Sequence, residues 1–310
     1  MFARILAIAL NTFREAARDR VPLALFGSGF GLGVASLLVA AMSLGRDRAE
    51  VVAVLTTTTL SLFALVSAIT LGATLLYKDY ERKTIYPILA RPIRRSELLV
   101  GKHLGVLATI TTFALLQGSL SLTLTAIVRT EGFPIRAIAP WMVVIPIAGV
   151  FLARARDRST PLLLVAAILF AVEAVAVGPL GDLRQLILVT ALLAVVEAAI
   201  VTAVSMVFGA FSTPFLTAAL TIGIVLIGRN ADLLARLPEK TFGPAIVTAG
   251  RALARVVPNL HLYVPPRTVA TGHAGGSIVT YLLEAGTYGL LYATVLLVAS
   301  ALIFRRRDFA

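Results

Sequence analysis

The sequence predicts an all-α integral membrane protein, a polytopic bundle of about eight helical spans. Of its 310 residues, 58% are hydrophobic and 14% charged, with a mean hydropathy of +0.92. A soluble domain carries roughly a quarter charged residues, so this chain could not cover a water-facing surface. Its apolar runs reach the roughly 20 residues that cross about 30 Å of hydrocarbon as a helix. They are continuous, without the alternation of a barrel strand, and a helix satisfies its own backbone in lipid. Residues 1–310 therefore read as one transmembrane domain.

Residues 1–20 place Phe2, Ile5, Leu6, Ala9, Phe13 and Ala16 at helical spacing, with Arg4, Asn11, Arg14 and Arg18 elsewhere on the wheel. That pattern predicts an interfacial helix. A signal peptide is not expected, because only six apolar residues separate Arg4 from Asn11. Pro22 opens a first span, 21–44, in which Gly27, Gly29, Gly31 and Gly33 make two overlapping GxxxG spacings that allow close helix approach. Spans at 52–76 and 104–128 flank a polar segment, 77–103. Spans at 137–153, interrupted by Pro140 and Pro146, and at 160–178 follow. From Leu186 to Ile227 only Glu197 is charged. This run is long enough for two helices, and Thr213-Pro214 supplies the break, giving 184–210 and 214–228. The last span is 278–304. Between the last two, residues 229–277 form an outer segment, read as a helix-turn lid with an interfacial helix at 244–257 and breaks at Pro258, Pro265 and Pro266.

Charge orients the bundle. With the N-terminus inside, the inner segments hold 17 of the 28 Lys and Arg residues, and most of the others lie in 229–277. Long outer loops count little in the positive-inside rule, so both termini are expected in the cytosol. The formal charge of +12 reads as loops bordering anionic lipid, not as a nucleic-acid surface.

Cysteine is absent, which excludes disulfides, thiolate metal sites and cysteine nucleophiles. The histidines His103, His261 and His273 are scattered, and no metalloprotease or hydrolase motif occurs. A phosphate-binding loop needs G-x-x-x-x-G-K-[ST]; before Gly101-Lys102, Ser96 holds the first glycine position, and His103 stands at the hydroxyl position. The chain is expected to bind neither nucleotide nor metal. Three carboxylates lie in apolar runs: Glu173, Glu197 and Glu284. Such charges are costly in lipid and face a bundle interior or an aqueous cavity. They read either as a proton or substrate pathway or as packing residues, with Glu197 nearest the midplane. Tyr281, Tyr288 and Tyr292 read as anchors and packing on the last span, or as pathway lining. Asn259, His261 and Tyr263 read as an ordinary turn or as a binding point.

The polar segment holds ten of the 44 charged residues between Lys78 and Gly105. Ser96-Glu97 can start a short helix with an N-cap and a favourable dipole charge, closed by Lys102. Charge alone leaves this segment open between a topology signal and an element that transmits force. Its order of residues, Glu81-Arg82-Lys83-Thr84 … Leu89-Ala90-Arg91-Pro92 … Arg95-Ser96-Glu97 … Gly101-Lys102, resembles the cytosolic loop of type-two ABC transporter permeases. The likeness is to the branch named for multi-copper enzyme maturation, which includes the nitrous-oxide-reductase maturation permease. Arg18-Asp19-Arg20, Pro258-Asn259 and the Arg-Arg-Arg-Asp-Phe tail are similar to that family in layout. Many members carry Gly where Lys83 stands.

The resemblance implies a six-span core, with 137–178 as an inserted helical pair. It also implies the membrane-spanning permease of an exporter in a bacterial cytoplasmic membrane, with two copies paired around a pathway. ATP and Mg would bind a separate ABC ATPase subunit, and Glu81, Thr84, Pro92, Arg95, Glu97 and Lys102 would couple to it. The residues themselves also admit a proton-coupled secondary transporter using Glu197, and a membrane scaffold or assembly factor that binds through 229–277.

Overall fold

The computed structural model describes residues 2–43, 48–75, 77, 94–130, 134–154, 161–178, 180–264 and 277–306. Glu81, Thr84 and Pro92 lie outside these, as do Arg156, Arg158, Pro265, Pro266, His273 and the end of the arginine-rich tail.

Every described regular element is helical. Helix α1 (Phe2–Arg18) is followed by α2 (Arg20–Met42), α3 (Arg48–Leu75) and α4 (Arg95–Arg129). Then come α5 (Ile135–Arg154), α6 (Leu162–Ala176), α7 (Asp182–Gly209), α8 (Pro214–Arg229), α9 (Ala231–Ala235) and α10 (Glu239–Val256). A 3-10 turn at Leu260–Tyr263 precedes α11 (Ile278–Arg306). Six helices, α2, α3, α4, α5, α7 and α11, are long and apolar enough to cross a membrane. Helices α6 and α8, with 15 and 16 residues, reach only about 22–24 Å at 1.5 Å per residue.

The centre of the bundle is α3, α4 and α7, packed mutually; α2 lies on α3 and α4, α11 on α7, and α6 on α4 with α5 outside it. Leu60, Ala64, Ile110, Phe113, Ala194 and Ile200 meet in the main core. Two smaller clusters mark its ends. Ala53, Leu122, Ala137, Val177 and Ile187 join the start of α3, the end of α4, the start of α5, the end of α6 and the start of α7. At the opposite end Leu99, Met206 and Phe304 join the start of α4, the end of α7 and the end of α11. Helices α2 to α7 therefore alternate in direction when the short α6 is included, α11 runs parallel to α7, and α1 and the end of α11 share one end of the bundle.

Local chemistry explains most boundaries. Asp19 accepts the Val21 amide at 3.1 Å and caps α2. Pro214 occupies the first turn of α8, with Thr213 extended before it, as the missing N–H of proline allows. Two expectations are corrected. Helix α5 runs through Pro140 and Pro146 without interruption. Ser96-Glu97 does not start a separate short helix: Arg94 is the N-cap, and α4 continues unbroken for 35 residues, about 52 Å. Gly101, Lys102 and His103 belong to its second and third turns.

The segment between α8 and α11 reaches partly into the bundle. Within its described part, a kink at Gly243, which has a φ of 76°, bends α10, and only Val247 and Gly250 of that helix are buried. The chain then turns inward. Leu260 and Tyr263 are fully buried, and Tyr263 lies between α11 and α7, touching the Gly289 site that Val196 also approaches.

Candidate functional site

The shared end of α1, α4 and α11 carries the described members of the expected coupling set. Helix α1 turns Ala9, Thr12, Phe13 and Ala16 into the protein, while Phe2 and Leu6 stay exposed. It docks on α4 because α4 offers glycines there. A Cβ at Gly105 would fall 2.5 Å from the Ala9 carbonyl oxygen and 2.6 Å from the Thr12 Cβ, and one at Gly101 would fall 2.7 Å from the Ile8 Cβ. Glu97 is buried; its carboxylate accepts the Arg94 amide at 3.2 Å and pairs with Arg4 of α1 at 4.0 Å. Lys102 is also buried, and Glu15 of α1 is the opposite charge acting on it. Arg95 donates to the Phe304 carbonyl at 2.8 Å, with its guanidinium carbon 5.7 Å from that ring's centroid. Arg95, Glu97 and Lys102 thus hold α1, α4 and α11 together and do not form a free surface.

The glutamates separate. Glu197, 1% exposed, receives two hydrogen bonds from Arg229 at the end of α8, Nε to Oε1 and Nη2 to Oε2, each 3.0 Å. The same Nη2 reaches Ser61 Oγ of α3 at 3.4 Å. This bidentate geometry is the strong form of the pair. Arg229 was not expected here. The signal for it lies in the sequence: the apolar run 214–228 is shorter than the roughly 20 residues of a full span, so its terminal arginine ends at bundle depth.

Beside Arg229 is a cavity of about 460 Å³ between α3 and α7, with Tyr263 and Val264 at its other side. Its wall is mainly apolar, with Val54, Leu62 and Leu186, and Thr57, Thr58, Ser61 and Thr190 add hydroxyls.

Glu173 of α6 is fully buried near Thr123 of α4 and Trp141 of α5. Trp141 donates its indole N–H to Thr123 Oγ1 at 2.7 Å, and Thr123 donates to the Ser119 carbonyl at 2.9 Å. Neither has a proton left for Glu173, and both carboxyl oxygens lack a hydrogen-bond partner among the described residues. Glu284 is exposed on α11. The three glutamates do not converge on one pathway.

The tyrosines of α11 act as a clamp. Tyr281 donates to the Leu262 carbonyl at 2.5 Å, Tyr292 to the Val256 carbonyl at 2.6 Å, and Tyr288 accepts the Asn259 amide at 3.0 Å. Tyr263 donates to the Ala285 carbonyl at 3.0 Å. Asn259 caps the 3-10 turn through the His261 amide and bonds Asp232 at 3.0 Å. Asn259 and Tyr263 therefore build a turn fixed to α11. Scanned against protein-family models the chain matches none, and no curated protein matches it.

Proposed function

We propose that this chain is the membrane-spanning permease subunit of an ATP-driven exporter in a bacterial cytoplasmic membrane. A separate ATPase would dock at the end shared by both termini, which would face the cytosol. The observation that carries this reading is the seam between α1 and α4. An amphipathic helix lies in glycine notches at the foot of the longest helix, an ion pair ties the two, and Arg95 ties that foot to α11. A push on α1 or on that segment would move the foot of α4 and, through 35 residues of continuous helix, its far half. In this role Arg95, Glu97 and Lys102 are positioning residues that pass the displacement on, while Glu81, Thr84 and Pro92 would meet the ATPase. A second copy of the chain would complete the pathway, α5 and α6 would be an addition at its edge, and 229–264 would close its outer end.

The bidentate hold of Arg229 on Glu197 weighs against a proton carrier at Glu197, which would need to release its partner in each cycle. The test is reconstitution with the ATPase encoded nearest to this chain. The two should copurify, and the chain should stimulate ATP hydrolysis in liposomes. Glu97→Gln, which can still accept the Arg94 amide but loses the charge facing Arg4, should weaken stimulation in protein that still unfolds at nearly the native temperature. Absence of a complex, or full stimulation by that variant, would overturn the assignment.

A further inference from the structure

We infer that the cavity beside Arg229 binds a single-chain amphiphile with an acidic, oxygen-rich head group, entering sideways from the bilayer. This does not rest on the ATP-driven reading, since the site can be filled whether or not an ATPase couples to the chain. Val54, Thr58 and Leu62 follow one another at four-residue steps along α3, line the cavity, and are exposed on the outside of the bundle. In a membrane-spanning helix that side meets acyl chains, so the opening is lateral.

The volume, about 460 Å³, falls in the usual range for small-ligand pockets. It equals about fifteen water-sized volumes at about 30 Å³ each. That suits one acyl chain with a small head and is too little for a two-chain lipid.

The head group follows from what the polar atoms have left. Thr57, Thr58 and Thr190 donate their hydroxyl protons to the carbonyls of Ala53, Val54 and Leu186, each at 2.7–2.8 Å, and so offer only lone pairs. Arg229 is the donor. Its Nε and Nη2 are engaged by Glu197 and Ser61, and its Nη1 has no hydrogen-bond partner among the described residues. The side chain is 31% exposed against 2% for Glu197. Glu197 thus holds one edge of the guanidinium, and Nη1 is left to donate to a ligand in the cavity that Arg229 lines. The N–H groups of Nη1 diverge from one nitrogen, so they can donate charge-assisted hydrogen bonds to separate oxygens of an acidic, oxygen-rich head.

The experiment is native mass spectrometry of the purified full chain in detergent. The probes are an oleoyl lysophosphatidic acid, the monoacylglycerol with the same chain, and glycerol phosphate as the head alone. The wild type should bind lysophosphatidic acid at least tenfold more tightly than the monoacylglycerol, and should bind glycerol phosphate negligibly. Thr58→Leu, which fills the mouth and leaves the ion pair intact, should weaken both lipids. Arg229→Lys should remove the preference between the lipids. Equal binding of the two lipids by the wild type, binding of glycerol phosphate as tight as that of the lipid, or indifference to Thr58→Leu would each overturn the inference. These three readouts decide it even if Arg229→Lys does not fold.

Discussion

Arg229 ends a helix of 16 residues, and that shortness brings its charge to Glu197 and not to a membrane surface. Removing one member of a buried ion pair strands the other, at a cost of about 3–5 kcal/mol, whereas replacing both by apolar residues is often close to neutral. The Arg229 side chain is 31% exposed, so the loss should lie at or below the low end of that range. Glu197→Gln should therefore lower the thermal unfolding midpoint in detergent, and Glu197→Leu combined with Arg229→Met should recover most of it. A double variant less stable than the single one would show that the pair is net stabilising in its own right. Sequence reasoning placed Glu197 deep in the bundle because one carboxylate stands alone in a long apolar run. It missed the partner because Arg229 sits 32 positions on, at a helix end that looked like a loop boundary. Glu173 was equally legible as an intramembrane carboxylate, but its isolation depends on which way Thr123 and Trp141 spend their protons, and no spacing reveals that.

At the scale of elements, two seams make distinct predictions. The α1–α4 seam depends on glycine: Gly105→Ala would force a Cβ against the Ala9 carbonyl and Thr12. Overpacking of this kind costs about 1–3 kcal/mol, and α1 should lift from α4. Limited proteolysis within residues 2–18 should become faster while the rest of the bundle stays protected; unchanged cleavage would mean that the seam is looser than its geometry. The tyrosine seam depends on hydrogen bonds. Tyr281→Phe and Tyr292→Phe each remove a hydroxyl donor to the outer segment, worth about 1 kcal/mol apiece. Amide exchange at 256–263 should rise in each variant and further in the double. Exchange confined to α11 would contradict a clamp. The amphipathic α1 and the break at Pro214 could be read from the sequence because periodicity and proline are local signals. The continuous α4 could not. Its first turns carry Arg95, Glu97, Lys102 and His103, and such charges suggest a separate short helix outside the span until packing buries them. The tyrosines at 281, 288 and 292 share a helix face, but their targets are backbone carbonyls, which leave no mark in composition.

For the whole molecule, the number of crossings is the property on which orientation, pairing and any pathway depend. Six helices are long enough to cross, while α6 and α8 are about 6–8 Å short of the hydrocarbon thickness at 1.5 Å per residue. Short helices can still complete a crossing where turns and side chains continue the path. After α6, the turn at Gly178 to Gly181 is tied by Arg129 to the Leu180 carbonyl at 2.7 Å and by Arg184 to the Gly178 carbonyl. After α8, α9 and the 3-10 turn continue the protein. The arrangement proposed above, eight crossings with both ends inside, needs both short helices to cross, and labelling tests each of them. The native chain has no cysteine, so single substitutions can be read without background. With a membrane-impermeant maleimide on intact cells, Thr130→Cys and Lys240→Cys should label at once. Arg154→Cys and Ser212→Cys should label only after permeabilisation. Immediate labelling at Arg154 would mean that α5 and α6 do not cross and that the bundle is a six-span core with a peripheral pair. Labelling of Ser212 and not Thr130 would invert the orientation and place the α1–α4 seam outside the cell, beyond the reach of any ATPase.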